Sequence, residues 1–425
     1  MGSESSKSRK RELPAVQRRL SHGFLSSVGV SVAHRLGHSA MFSQSLRLDV
    51  QPPVSSPPLP PEEGGEASGV LAPPAFISVF LPEFPQRRFP APEHFQVLGF
   101  IAKGSFGPIL KIMDVCKDKI YAVKVLTKSE ILKHGVLEQS KEEVIIQRQL
   151  KHPFIHNLQD CWQTHRHLFI MFDYCYAGDL HTYWALKSRF EEDEVRLFAA
   201  ELGSALGFLH DLGIIHRDIK MENILLSDQG HLRLCDFGLS RRLQRGGRAF
   251  TICGTIQYMA PEVLRAGPYN HAADWWSLGI LLFSLVTGDF PVAAEPDHSS
   301  MWRKVRDFPY AFPRTFTSAL TQLLTELLCK NPVARLRNLD CFKMQAFFRG
   351  FSFDSYILQK TPVQFILELR SHPDWEAKSM RGISLDQFEH FDCDQFLNSP
   401  SSPTELSPTL AQVCLSLTAE QTCKA

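Results

Sequence analysis

The sequence predicts an α+β fold of two lobes, a small, mainly β N-terminal lobe and a larger, mainly α C-terminal lobe, behind a disordered N-terminal arm. Three observations predict it. Short β-like runs come first, at 95–100, 109–115 and 120–126, and long apolar helical stretches such as 193–212 and 275–286 come later. Strands first and helices afterwards signal segregated layers with a cleft between them. The third observation is the opening, where residues 1–93 are rich in Ser, Pro and Gly and carry Pro52-Pro53, Pro57-Pro58, Pro60-Pro61 and Pro73-Pro74.

Taken in order, the arm 1–93 reads as extended and unpacked, because proline fixes φ and removes a donor. A linker is the plain reading; 57–61 also suits a polyproline II segment for a partner. The globular part runs over 94–349. Its three strands are followed by a helical stretch at 136–150, another β-rich piece at 168–174 and then the apolar helices. The remainder, 350–425, ends in Ser-Pro dipeptides and reads as a tail.

Hydrophobic residues make up 44% and charged residues 21%, which excludes a fully disordered or fibrous chain. Lys+Arg 46 against Asp+Glu 45 leaves +1, so net charge gives no reason to expect a nucleic-acid partner. The ten cysteines include no CxxC pair, which signals neither a zinc site nor a disulfide framework and suits reduced thiols of the cytoplasm. No apolar run reaches about 18 residues, so no transmembrane helix is expected, and the polar N-terminus lacks the apolar region of a secretory signal.

Chemistry begins at Ala102-Lys103-Gly104-Ser105-Phe106-Gly107, between two β-like runs. Small residues at a hairpin turn let backbone N–H groups approach phosphate oxygens, although alone this pattern reads better as an ordinary hairpin. Tyr121-Ala122-Val123-Lys124 places a lysine inside an apolar strand. A buried ammonium needs a partner, and Glu143 on the next helical stretch supplies one. The strongest signal is His216-Arg217-Asp218-Ile219-Lys220-Met221-Glu222-Asn223, followed by Asp236-Phe237-Gly238 and Ala260-Pro261-Glu262.

In the order and spacing of these motifs, residues 94–349 resemble the eukaryotic protein kinases. The resemblance implies a bilobal protein-kinase-like fold, ATP and Mg²⁺ as cofactors, and transfer of the γ-phosphoryl group to a protein hydroxyl. A loose phosphoryl transition state asks for positioning and charge neutralisation. By resemblance, Lys124 holds the α- and β-phosphates and is aimed by Glu143. Asn223 and Asp236 ligate the metal, Asp218 accepts the substrate proton and Lys220 neutralises the γ-phosphate. The nucleotide pocket draws on 102–107, Ile109, Ala122, Leu225 and the hinge residues Asp173, Cys175 and Asp179, with Phe172 at its back and Asp179 near the ribose. Structural roles fall to Asp274, on the catalytic-loop backbone, and to Glu262, paired with Arg335.

Thr251-Ile252-Cys253-Gly254-Thr255-Ile256-Gln257-Tyr258 and Asp274-Trp275-Trp276-Ser277 are similar to the AGC group, and within it to the ribosomal protein S6 kinases. By that analogy Thr251 is the activation-loop phosphosite, its phosphate pairing with Arg217 after the action of an upstream activating kinase.

Some positions depart from the pattern. Ala102 replaces the first loop glycine, and Pro108 removes a strand donor at the loop's exit. Gln147 stands where the family places an apolar residue: either this packing is polar, or the register is off by one and Glu142 with Ile146 is the true pair. Gln257 and Ser284 replace acids that select basic substrates, leaving Asp179 and Glu222. Ala102, Pro108 and Gln147 leave a runner-up reading, a pseudokinase acting as a membrane-tethered scaffold. In the tail, 348–353 reads as the end of the catalytic domain. Phe388-Glu389-His390-Phe391-Asp392 suits docking on the small lobe, or alternatively Phe391 and Phe396 match the segment crossing the ATP cleft. Ser399-Pro400 and Ser402-Pro403 suit proline-directed phosphorylation.

The N-terminus Met1-Gly2-Ser3-Glu4-Ser5-Ser6 fits myristoylation at Gly2. One such chain binds bilayers at only ~10⁴ M⁻¹; Lys7, Arg9, Lys10 and Arg11 near an anionic membrane surface add about 1 kcal/mol each. The expected location is cytoplasmic and membrane-associated. The basic, acid-poor stretch 18–47 also resembles an internal organellar presequence.

Overall fold

A computed structural model of the chain describes residues 75–86, 95–104, 106–310 and 312–379. Antiparallel pairing builds the small lobe from β1 (Phe95–Gly104), β2 (Gly107–Asp114), β3 (Lys119–Thr127), β4 (Leu158–Gln163) and β5 (His167–Asp173), in the order β1-β2-β3-β5-β4. Side chains alternate across a strand, and β2 buries Pro108, Leu110, Ile112 and Asp114 while its other residues stay half-exposed. One face packs Leu110, Tyr121 and Val123 against Trp162 and Phe169.

Helices α2 (Lys128–Lys133) and α3 (Leu137–Gln147) cover part of the sheet. Upstream, α1 (Ala75–Ser78) and the turns after it join the same layer: Ile77 is 3% exposed, and Val79, Phe80 and Phe84 are fully buried. This corrects the arm boundary at 93. Prolines at 73, 74, 82 and 85 frame an apolar run, and packing of that run outweighs the local stiffness that the prolines suggest.

The large lobe forms around α5 (Glu192–Asp211) and α7 (Ala272–Thr287). A reciprocal capping box between Glu191 and Glu194 starts α5, and Gly288, at φ 84°, ends α7. Trp275 and Trp276 are fully buried in the core between these helices and α9 (Ser318–Leu327). Around them lie α4 (Leu180–Lys187), α6 (Pro261–Leu264), α8 (His298–Asp307) and α10 (Leu339–Lys343). Two small antiparallel pairs complete this lobe: β6 (Ile214–Ile215) with β9 (Arg241–Arg242), and β7 (Ile224–Leu226) with β8 (Leu232–Leu234). Phe348 and Phe353 lie 4.7 and 6.1 Å from the Phe342 ring, closing this core.

The tail reading needs a similar adjustment. Helices α11 (Ser355–Leu358), α12 (Gln364–Arg370) and α13 (Trp375–Ser379) lie on the large lobe. Leu358, Val363 and Ile366 are buried, Val363 N donates to Gln229 O at 2.9 Å, and Lys378 Nζ donates to Ala185 O at 2.7 Å. Among the described residues, no helix is long and apolar enough to cross a membrane. Residues 1–74 and 380–425 lie outside the described residues, and with them Gly2, Phe388, Phe391, Phe396, Ser399 and Ser402.

Candidate active site

Strand alternation aims three side chains at the cleft. β3 buries Tyr121, Val123 and Val125 on one face, so Ala122 and Lys124 stand on the other, and Ile109 of β2 pairs directly opposite Lys124. Lys124 Nζ lies 2.7 and 3.1 Å from the two carboxylate oxygens of Glu143, and 3.8 Å from Asp236 Oδ1. The Glu143 pairing settles the register of α3 in favour of Glu143 over Glu142. Gln147 is then buried in polar form, with Oε1 lacking a partner among the described residues.

Asp236 adopts a left-handed backbone, φ 59° and ψ 74°, and its side chain is 52% exposed. A Cβ on the neighbouring Gly238 would stand 3.2 Å from Asp236 Oδ1 and 3.3 Å from Glu143 Oε2. A side chain there would crowd both carboxylates.

The segment after β6 is held from below. Asp274, at the start of α7, accepts hydrogen bonds from His216 N, Arg217 N and His210 Nε2, each at 2.9 Å. These contacts sustain a positive φ of 72° at Arg217, a conformation that needs outside support in a non-glycine residue. Asp218 is thereby fixed in a web of short contacts. Thr255 Oγ1 donates to Asp218 Oδ1 at 2.8 Å, Lys220 Nζ stands 2.9 Å from Asp218 Oδ2, and Lys220 also donates to Thr255 Oγ1 at 3.0 Å. Asn223 Nδ2 donates to Asp218 O and Oδ2 at 2.9 and 3.1 Å, which turns its carbonyl oxygen away from Asp218. Burial works against the Lys220 charge, but Asp218 and Glu222 outweigh it and leave its pKa raised.

No group of three His, Cys, Asp or Glu side chains able to hold a metal occurs among the described residues. One amide oxygen and one carboxylate, from Asn223 and Asp236, still fit Mg²⁺, which keeps waters and phosphate oxygens as its other ligands.

The roof is the β1–β2 hairpin, closed by the Gly104–Gly107 pair. A Cβ at Gly107 would meet Val125 O at 2.2 Å. Ala102 pairs with Ile109 and exposed Lys103 with Pro108, so both departures stay within the paired hairpin, just past a register shift between Phe100 and Ala102. Phe106 packs on the apolar cluster under α3, and its carbonyl accepts from Thr127 N at 3.0 Å. Ser105 lies outside the described residues.

At the hinge, the Asp173 carboxylate turns to Lys119 and Gln159, at 2.8 and 2.9 Å. Sequence reasoning missed His156: its Nε2 lies 2.7 Å from Asp173 O, and its ring stacks on Phe172 at 5.1 Å. Burial, its largest influence, lowers the His156 pKa, so the neutral ring donates to that carbonyl. Thr255 was missed as well; only the fold brings it to Asp218. Asp179 caps α4, with Oδ1 accepting from Thr182 N at 2.8 Å and Thr182 Oγ1 at 3.2 Å, and it bridges to Leu225 beside the hinge. Burial pushes the Cys175 thiol up to about 12.

Residues 95–347 match the protein kinase domain family. The chain belongs to the protein kinase family. The kinase is 52% identical over 321 residues to a ribosomal protein S6 kinase-related protein of Homo sapiens, covering 76% of this chain and 77% of that one. It is 35% identical over 282 residues to a RAC family serine/threonine-protein kinase homolog of Dictyostelium discoideum, covering 66% and 63%. It is 39% identical over 214 residues to ribosomal protein S6 kinase alpha-1 of Homo sapiens, covering 49% of this kinase and 29% of that protein. These are AGC-type relatives, and the reaction of the kinase is transfer of a phosphoryl group from ATP, with Mg²⁺, to serine or threonine of protein substrates.

In the activation segment Thr251 is exposed. Tyr269 Oη donates to Thr251 O at 2.7 Å and accepts from Arg217 at 3.3 Å, so one phenol links the two residues expected to meet through a phosphate. Glu262 and Arg335 form the expected pair, bidentate at 2.6 and 2.9 Å. Ser284 is fully buried, and its hydroxyl donates to Ile280 O in its own helix.

Proposed function

We propose that this kinase phosphorylates serine and threonine by a mechanism in which Lys124, Asp218, Lys220, Asn223 and Asp236 divide the work. Asp218 orients the substrate hydroxyl and takes its proton as the oxygen–phosphorus bond forms and the bond to the β-phosphate oxygen breaks. Lys124, held by Glu143, balances charge at the α- and β-phosphates, and Lys220 balances charge at the γ-phosphate. Asn223 and Asp236 would hold Mg²⁺, which supplies neutralisation of phosphate charge. The observation that carries this reading is Lys124 Nζ, 2.7 Å from Glu143 and 3.8 Å from Asp236, because it joins both lobes across one cleft. A scaffold without turnover has no observation in its favour. Radiolabelled ATP with a serine peptide tests the reading: Lys124→Met should abolish transfer, and undiminished transfer would refute the assignment.

Regulation follows from Thr251. A phosphate there adds about −1.5 to −2 charges beside the half-buried Arg217, whose Nε donates to Leu239 O at 2.6 Å next to Asp236-Phe237-Gly238. An upstream kinase would thereby order the segment. Thr251→Ala should lower transfer in cells, and finding Thr251 bare in a fully active preparation would remove the idea.

Substrate choice should favour basic residues more weakly than in AGC kinases generally. Glu222 Oε2 is buried without a partner among the described residues and suits an arginine, whereas Asp179 is occupied as a helix cap and Ser284 in its own helix. A peptide array requiring arginine at two or more positions would contradict this. Gly2 myristoylation with the adjacent basic residues would place the kinase in the cytoplasm on anionic membranes, and mass spectrometry of the mature N-terminus decides it.

A further inference from the structure

The segment upstream of β1 touches both sides of the machinery that aims Lys124. Phe80 and Phe84 lie in one cluster with Val144 of α3, Ile131 of α2, and Ile170 and Phe172 of β5. On the helix side, Lys141 of α3 is 7% exposed; its Nζ lies 3.3 Å from Glu83 Oε2, an ion pair without hydrogen-bond alignment, and donates to Leu81 O at 3.4 Å. Arg148, just past the same helix, donates to Glu83 O at 2.5 Å. On the sheet side, Gln163 of β4 donates through Nε2 to Phe84 O at 2.5 Å and Ile77 O at 3.2 Å, and its backbone N donates to Pro85 O at 3.1 Å. Lys128 completes the joint, with Nζ 4.7 Å from the centre of the Phe80 ring and donating to Gln163 Oε1 at 2.6 Å.

Helix α3 has little of its own to hold it there. It begins without a side-chain cap and is only 11 residues long, short for a helix in water. Its position must come from tertiary packing. Glu143, two residues from Lys141 on this helix, pairs with Lys124, so whatever fixes α3 fixes that pair.

We propose that residues 75–86 are a built-in strut for α3, spanning from the edge of the sheet to the helix and holding Glu143 on Lys124. This rests on the reading of Lys124 and Glu143 given above. Glu83, Phe80 and Phe84 are thus positioning residues, acting on phosphoryl transfer through the helix. The functional catalytic unit starts near residue 75, and a protein trimmed to begin at β1 loses the support.

The test uses the full chain, with Glu83→Lys, Lys141→Glu and the reciprocal double substitution. Transfer rate and hydrogen exchange of the 137–147 amides are both measured, and Glu143→Gln serves as control. Each single variant should lower kcat by about 10- to 100-fold, the scale of a displaced catalytic group, and should speed exchange in α3. The double variant should restore both. Phe80→Leu should retain more activity than Phe80→Ala, and a peptide spanning 73–88 should raise the activity of a chain beginning at 87. Unchanged kcat and exchange in the single variants would overturn the strut, as would faster exchange with unchanged kcat or a double variant that recovers neither. If Glu143→Gln transfers phosphate as well as the parent, the reading of the Lys124 pair fails, and the proposal with it; the exchange data distinguish that outcome from failure of the strut alone.

Discussion

At the scale of single residues, Asp274 anchors the start of the catalytic loop. Asp274 is buried and receives three hydrogen bonds. Burial pushes its pKa up, but the hydrogen bond and charge of His210, with help from His216, outweigh burial and hold it below the ordinary carboxylate value. A carboxylate whose folded pKa is depressed adds stability above its unfolded value, about 3.9, and loses that stability as pH falls through the folded one. Asp274→Asn should therefore flatten the acid limb of the stability profile below about pH 4. Asp274→Ala should cost about 3–5 kcal/mol near neutrality, as for a broken buried charge network; urea denaturation across pH reads both. The hinge offers a second prediction. With its thiol pushed up to about 12, Cys175 holds almost no thiolate at neutral pH, and thiolate is the reactive form. Iodoacetamide should label the exposed Cys116 and Cys341 first and spare Cys175 in the native protein, as read by peptide mass spectrometry.

At the scale of elements, period-two patterning made the central strands and the aim of Lys124 legible, because one face of β3 must be buried. Glu143, with Glu142 as its alternative, was legible from its distance to His152-Pro153-Phe154, and Glu262 from its expected pairing with Arg335. The latter side chain is wholly buried, so Glu262→Ala strands a guanidinium between α6 and the segment before α10. A loss of about 3–5 kcal/mol is expected, measurable as a shift in denaturant midpoint with little change in its slope. The turn after α3 carries a pH-dependent element. Burial, reinforced by the charge of Arg233, lowers the His152 pKa to about 4, and its Nδ1 accepts from Phe154 N at 3.2 Å. The unfolded chain takes up that proton below about 6.5, so stability falls as pH drops from about 6.5 toward 4. His152→Gln should reduce this slope. Elements defined by distant packing were not legible: the strut at 75–86 hid behind its prolines, and His156 gave no sign of its contact with Asp173 O.

At the scale of the whole molecule, two lobes were legible from the order of strands and helices, and their chemistry from motifs whose sequence spacing is short. The edges were not. Residues 75–86 and 355–379 read as arm and tail in the sequence, yet they pack on the small and large lobes respectively. Sparse apolar residues between prolines or polar residues lack a clear period, and only the surface they meet gives them a place. Thr255 shows the same limit inside the site, since nothing in its local sequence foretells a hydrogen bond to Asp218.

The central claim is that residues from both lobes converge on one Mg²⁺-bound nucleotide and one hydroxyl. The most direct test is single-turnover transfer by the full chain, with nucleotide binding measured in parallel, for the parent, Asp218→Asn and Asp236→Asn. The account predicts that Asp218→Asn keeps Mg²⁺-dependent ATP binding and loses transfer by about 10²–10⁴-fold, the range for a positioned acid–base group, whereas Asp236→Asn loses metal-dependent binding and transfer together. Equal transfer by all three proteins would contradict it.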